Sequence, residues 1–128
     1  MTTAPCPCGL PAAYSDCCGR WHAGPLQLQA PDAVALMRSR YSAFVRGLDD
    51  YLLDTWHAST RPAGGPITEP GTRWLGLEVR QHQIHDADHA TVEFVARSKH
   101  AGHATRLHES SRFVREGGRW YYLDGKVC

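Results

Sequence analysis

The chain has 128 residues, of which 42% are hydrophobic and 21% charged, and its formal net charge is +1. That apolar fraction excludes a disordered chain, and the near-neutral balance of scattered Lys, Arg, Asp and Glu excludes a long-range field for DNA or an anionic membrane. The length fits one ordinary domain plus a small appendage that draws its stability from elsewhere, for example from a metal.

In chain order, the N-terminal stretch MTTAPCPCGL has neither the basic region nor the apolar run of a secretion signal, and nothing later is long and apolar enough for a membrane span. The simplest expectation is a cytoplasmic protein. In that reducing compartment the clustered Cys6, Cys8, Cys17 and Cys18 read as metal ligands rather than disulfide partners. Their pattern is C-x-C-x8-C-C, with Cys6-Pro7-Cys8-Gly9 as a tight turn and Gly19 freeing the backbone beside the second pair. Four such donors suit a tetrahedral zinc, with His22 as a rival to Cys18 for the fourth place; the competing reading, buried free thiols, is disfavoured by four cysteines within 13 residues that lack a core-like apolar pattern. A closed four-ligand set points to a structural ion, because a catalytic one needs an open position. Cys128 reads as a flexible terminal thiol without a role.

Residues 23–31 form a Gly- and Pro-bearing joint too short to be a free tether. Asp32 then N-caps a helix whose Ala33, Leu36, Met37, Tyr41, Phe44 and Leu48 recur at helical spacing, with Gly47 as its stop. A second short helix starts near Asp49 and places Leu48, Tyr51, Leu52, Thr55 and Trp56 on one face. A second joint, residues 61–66, leads into a strand-rich remainder from Trp74. There Ala90, Val92, Phe94 and Ala96 alternate with Thr91, Glu93, Val95 and Arg97. Turns are expected at residues 86–88, 101–104 and Gly117-Gly118, the last a two-residue hairpin loop. The sum is an α+β fold: a meander of about four antiparallel strands with one face covered by two helices.

On the strand from Leu107 to Phe113, alternation puts Glu109 and Ser111 on the same apolar face as Leu107 and Phe113. Glu109 is the candidate pocket carboxylate, either a general acid/base or a structural group neutralised by Arg38 or Arg40. His108 faces the other way and makes a poor partner for it. Tyr41, Trp56, Trp74, Trp120 and Tyr122 either line a pocket for a flat ligand or are simply core. The remaining histidines, His82, His85, His89, His100 and His103 among them, read as solvated surface. No G-x-S-x-G, no phosphate-cradling glycine loop and no nucleophilic Cys with an evident His partner is present.

Cys6-Pro7-Cys8-Gly9, Tyr14 and Cys17-Cys18-Gly19 resemble the SEC-C motif, the zinc knuckle of the SecA translocation motor and of other bacterial proteins. That resemblance favours Cys18 over His22 and implies a protein partner, such as the ribosome or the translocation machinery. This chain departs from the motif at Leu10-Pro11-Ala12-Ala13, where the family carries basic residues. Beyond the knuckle, the segments from Met37 to Phe44, Leu107 to Phe113 and Trp120 to Gly125 are similar to the YchJ-type bacterial family. The resemblance implies a knuckle over residues 1–24 and, over residues 31–128, a domain like nuclear transport factor 2, a curved sheet wrapped over helices into a cone. It also admits a homodimer through the open sheet face. The functional expectation is an adaptor or binding protein whose knuckle meets a partner while the α+β domain takes a partner or small ligand. The alternative is a small-molecule enzyme using Glu109 in the cone pocket.

Overall fold

A computed structural model describes residues 5–64 and 66–128. Residues 1–4, on which the reading of the N-terminus partly rests, and Gly65 of the second joint lie outside the described residues. After the cysteine turn at residues 6–9 and a short 3-10 turn, Tyr14–Asp16, come α1 (Gly19–His22), α2 (Ala33–Arg46) and α3 (Asp49–Asp54). Four strands follow: β1 (Arg73–Asp86), β2 (His89–His100), β3 (His103–Glu116) and β4 (Arg119–Val127).

Helix α2 begins and ends as its sequence dictates. The Asp32 carboxylate accepts from the Ala35 amide at 2.7 Å, and Gly47 closes the helix in the left-handed region with its N–H on Ala43 O. Helix α3 stops sooner than its apolar spacing suggests. Thr55 and Trp56, expected on its face, are drawn off because Thr55 O accepts from Tyr122 N at 2.8 Å and His57 N donates to Tyr122 O at 2.7 Å. The sheet edge satisfies more backbone groups here than another helical turn would.

The strands pair antiparallel in the order β1-β2-β3-β4, the expected meander. Three register shifts along β1 and one in β4 bend the sheet. Ala90, Val92, Phe94, Ala96 and Phe113 on the concave side pack with Leu36, Met37, Tyr41 and Leu52 from the helices, which makes the α+β cone. The second hairpin turns on Ala101 and Gly102 alone, with His103 and Ala104 already in β3. Ala101 sits at φ 49°, a left-handed conformation that costs an alanine about 1–2 kcal/mol. Ala101→Asn is therefore expected to raise the melting temperature by a few degrees in calorimetry, since asparagine tolerates this region.

Candidate functional site

Two sites lie on opposite faces of α2. On the outer face, the four sulfurs of Cys6, Cys8, Cys17 and Cys18 all lie within 4.8 Å of one another, buried and unbridged. Cys8 Sγ and Cys17 Sγ are 3.7 Å apart. Thiolates around one zinc, at bonds of ~2.3 Å, form a tetrahedron of edge about 3.8 Å, so the spacing fits a metal. Hydrogen bonding from Cys18 pulls the Cys8 thiol down to about 5, whereas burial pushes Cys17 up to about 11 and the bond to Cys8 pushes Cys18 up. Four buried thiolates at this spacing need a cation to ionise together.

His22 is outside this set. Its Nε2 donates to Ser39 O at 2.8 Å, which fixes the tautomer and leaves Nδ1 to accept from the Tyr14 hydroxyl at 2.5 Å. The alternative of His22 as fourth ligand is thereby corrected: both ring nitrogens are committed to docking the knuckle on α2. Arg38 Nη1 adds a bond to Cys8 O at 3.0 Å, and Ser42 Oγ lies 3.6 Å from Cys6 Sγ. Gly19 serves a purpose other than the expected backbone freedom, since a Cβ there would come within 2.7 Å of Tyr14 O.

On the inner face, a partly enclosed cavity of about 190 Å³ opens between α2 and the sheet. Its lining includes all six expected pocket residues, Tyr41, Trp56, Trp74, Glu109, Ser111 and Tyr122. Trp120 is buried in the core instead. Trp74 meets Tyr41 and Phe44 edge-on or tilted, at centroid distances of 5.6 and 5.7 Å, and Trp56 meets Tyr122 at 5.3 Å. Glu109 Oε2 accepts from Ser111 Oγ at 2.7 Å. The glycine at residue 125 on β4 leaves the carboxyl group room in this position: a Cβ there would collide with it.

Neither arginine neutralises Glu109 by contact. Arg38 is turned to the knuckle, while Arg40, two residues on and so nearly opposite on the helix, enters the cavity. Arg40 Nη1 donates to Leu52 O at 2.8 Å and Thr55 Oγ1 at 2.7 Å, and its guanidinium stands 4.6 Å over the Tyr122 ring and 5.4 Å from that of Trp56. No carboxylate lies within ion-pair distance of Arg40 among the described residues. Burial pulls its pKa down to about 10, with Tyr122, Tyr51 and Glu109 opposing, so it remains a cation at neutral pH. The Trp56 Nε1–H, also buried, has no acceptor among the described residues. Arg40 entered the sequence reading only as a neutraliser; the signal for more was an arginine inside the Met37, Tyr41, Phe44 stripe.

The convex face corrects another expectation. The Cys128 N–H donates to His108 O at 2.9 Å, and its thiol, the His108 ring and the Glu93 carboxylate lie within 4.8 Å of one another. A cysteine with a histidine neighbour therefore does exist, and Cys128 is held rather than loose. His108 faces away from Glu109 and pairs with Glu93 at 2.6 Å. His82 is also off expectation, with a buried Nε2 that has no partner among the described residues.

Fold and sites together define a small α+β cone domain carrying a four-cysteine N-terminal knuckle. The family model of the YchJ middle, NTF2-like domain matches residues 32–125. A UPF0225 protein of Bordetella parapertussis is 63% identical over 124 residues, covering 97% of this chain and 93% of its own, and one of Methylibium petroleiphilum is 66% identical over 123 residues, covering 96% and 88%. The solution structure of a SEC-C motif containing protein from Rhodopseudomonas palustris superposes with a TM-score of 0.82 at 32% identity, over 96% of this chain and 98% of that one. A crystal structure of a SEC-C motif containing protein from Psychrobacter arcticus gives 0.76 at 31% identity, over 100% and 84%. The chain belongs to the YchJ, or UPF0225, family. No helix among the described residues is long and apolar enough to cross a membrane.

Proposed function

We propose that this is a cytoplasmic binding protein whose cone cavity holds a small ligand and whose N-terminal knuckle, closed on a structural zinc by Cys6, Cys8, Cys17 and Cys18, braces the helix that forms the cavity wall. The observation that carries the reading is the cavity itself: about 190 Å³ of aromatic-lined space into which a buried cation and a carboxylate are brought without pairing. Charged groups are costly to bury, and a purely structural pair would close on itself. The division into a knuckle, residues 1–24, and a cone domain, residues 31–128, is supported by a family match that begins at residue 32. The knuckle's outward side, with exposed Leu10, is the surface offered to a protein partner such as the ribosome or translocation machinery.

A second reading, the enzyme with Glu109 as acid or base, draws on the same unpaired carboxylate. Filling the cavity tests the binding reading. Ala96 lines the space, and Ala96→Leu is expected to keep or raise the melting temperature while abolishing small-molecule binding measured by NMR shifts of the tryptophan indoles. A strongly destabilised Ala96→Leu protein would mean that there is no space to fill.

A further inference from the structure

Resting on the cavity reading above, the geometry points to the class of ligand: a small, flat, uncharged ring bearing one hydroxyl or lactam group that both accepts and donates a hydrogen bond. Size comes first. A dry cavity of ~150 Å³ takes benzene, so about 190 Å³ holds one ring with one or two substituents and excludes nucleotides and sugar chains. The walls supply aromatic faces and edges from Tyr41, Phe44, Trp56, Trp74 and Tyr122, which suits a planar guest.

Charge decides the rest. Arg40 contributes one positive charge and Glu109 one negative charge to the same lining, so the empty site is close to neutral. An anionic guest would leave two negative charges against one positive, and a cationic guest the reverse, in surroundings that solvate neither. A neutral guest keeps the balance. Its oxygen can accept from the donor side of the cavity, where the Arg40 guanidinium stands, and its O–H or N–H can donate to Glu109. Ser111, already bonded to Oε2, and Gly125 hold the carboxylate in place for that bond.

Four probes of one shape test this: p-cresol, toluene, p-toluate and 4-methylbenzylamine, each titrated into the full-length protein while the indole N–H signals of Trp56 and Trp74 are followed by NMR. The expected result is p-cresol binding at least about tenfold more tightly than the other three. Glu109→Gln, which removes the negative charge and keeps the shape, is expected to reverse the order so that p-toluate binds best. Wild-type protein that prefers p-toluate or the amine would overturn the ligand class while leaving a working cavity. Wild-type protein whose indoles respond to none of the four, at their solubility limits, would overturn both the class and the cavity reading. The wild-type ranking needs no variant to fold.

Discussion

Cys8→Ser protein is expected to leave purification with less than about a tenth of the metal carried by the wild type, and to melt roughly 10 °C lower. The wild type is expected to hold one zinc per chain by elemental analysis. The size of the effect follows from what the knuckle is made of. Its core is the four cysteines with Ala12 and Tyr14 packed beside them, far too little apolar surface to fold so short a segment without a metal. When it opens, α2 loses the Arg38 bond to Cys8 O and the His22 bond to Ser39 O, together worth about 2–3 kcal/mol. A domain of this size moves by a few degrees for each kcal/mol. Cys18→Ser should behave the same way. His22→Gln should keep its metal and lose only stability, since the imidazole docks the knuckle and ligates nothing.

Arg40→Met is expected to cost about 3 kcal/mol, read as a lower denaturation midpoint at unchanged slope. The guanidinium is the donor to both Leu52 O and Thr55 Oγ1, and it ties α2 to the end of α3, beside the point where Thr55 and His57 bond to Tyr122 of β4. Methionine fills much of the volume but leaves those acceptors unmet and Glu109 as the single charge in the cavity. Glu109→Gln added to Arg40→Met should recover part of the loss, because the remaining carboxylate would no longer be an uncompensated charge. Equal stability of Arg40→Met and wild type would show that the cation contributes nothing beyond packing.

Periodicity carried most of this fold. The Asp32 cap, the Gly47 stop and the alternation through β2 are local signals, and each appears where spacing puts it. The end of α3 was not legible, because a long-range bridge from Trp56 to Tyr122 decides it, and no local propensity reports a partner more than 60 residues away. Gly125 shows the same limit. It is a strand glycine without positive φ, and its reason is the Glu109 carboxylate on the neighbouring strand. The six residues that line the cavity follow from alternation and aromatic type, whereas the pairing of Arg40 with Glu109 stayed open, because a sequence shows that two charges can meet and not whether they do. Cys128 belongs with these: its place beside His108 depends on β4 pairing with β3 up to Val127.

The account turns on a cavity that keeps Arg40 and Glu109 apart for a guest. A crystal structure grown with saturating p-cresol tests that most directly. The predicted result is a ring seated among Tyr41, Trp56 and Tyr122, with its hydroxyl between the Arg40 guanidinium and the Glu109 carboxylate. A direct Arg40–Glu109 ion pair, with the aromatic side chains closed over the space and no guest inside, would contradict it.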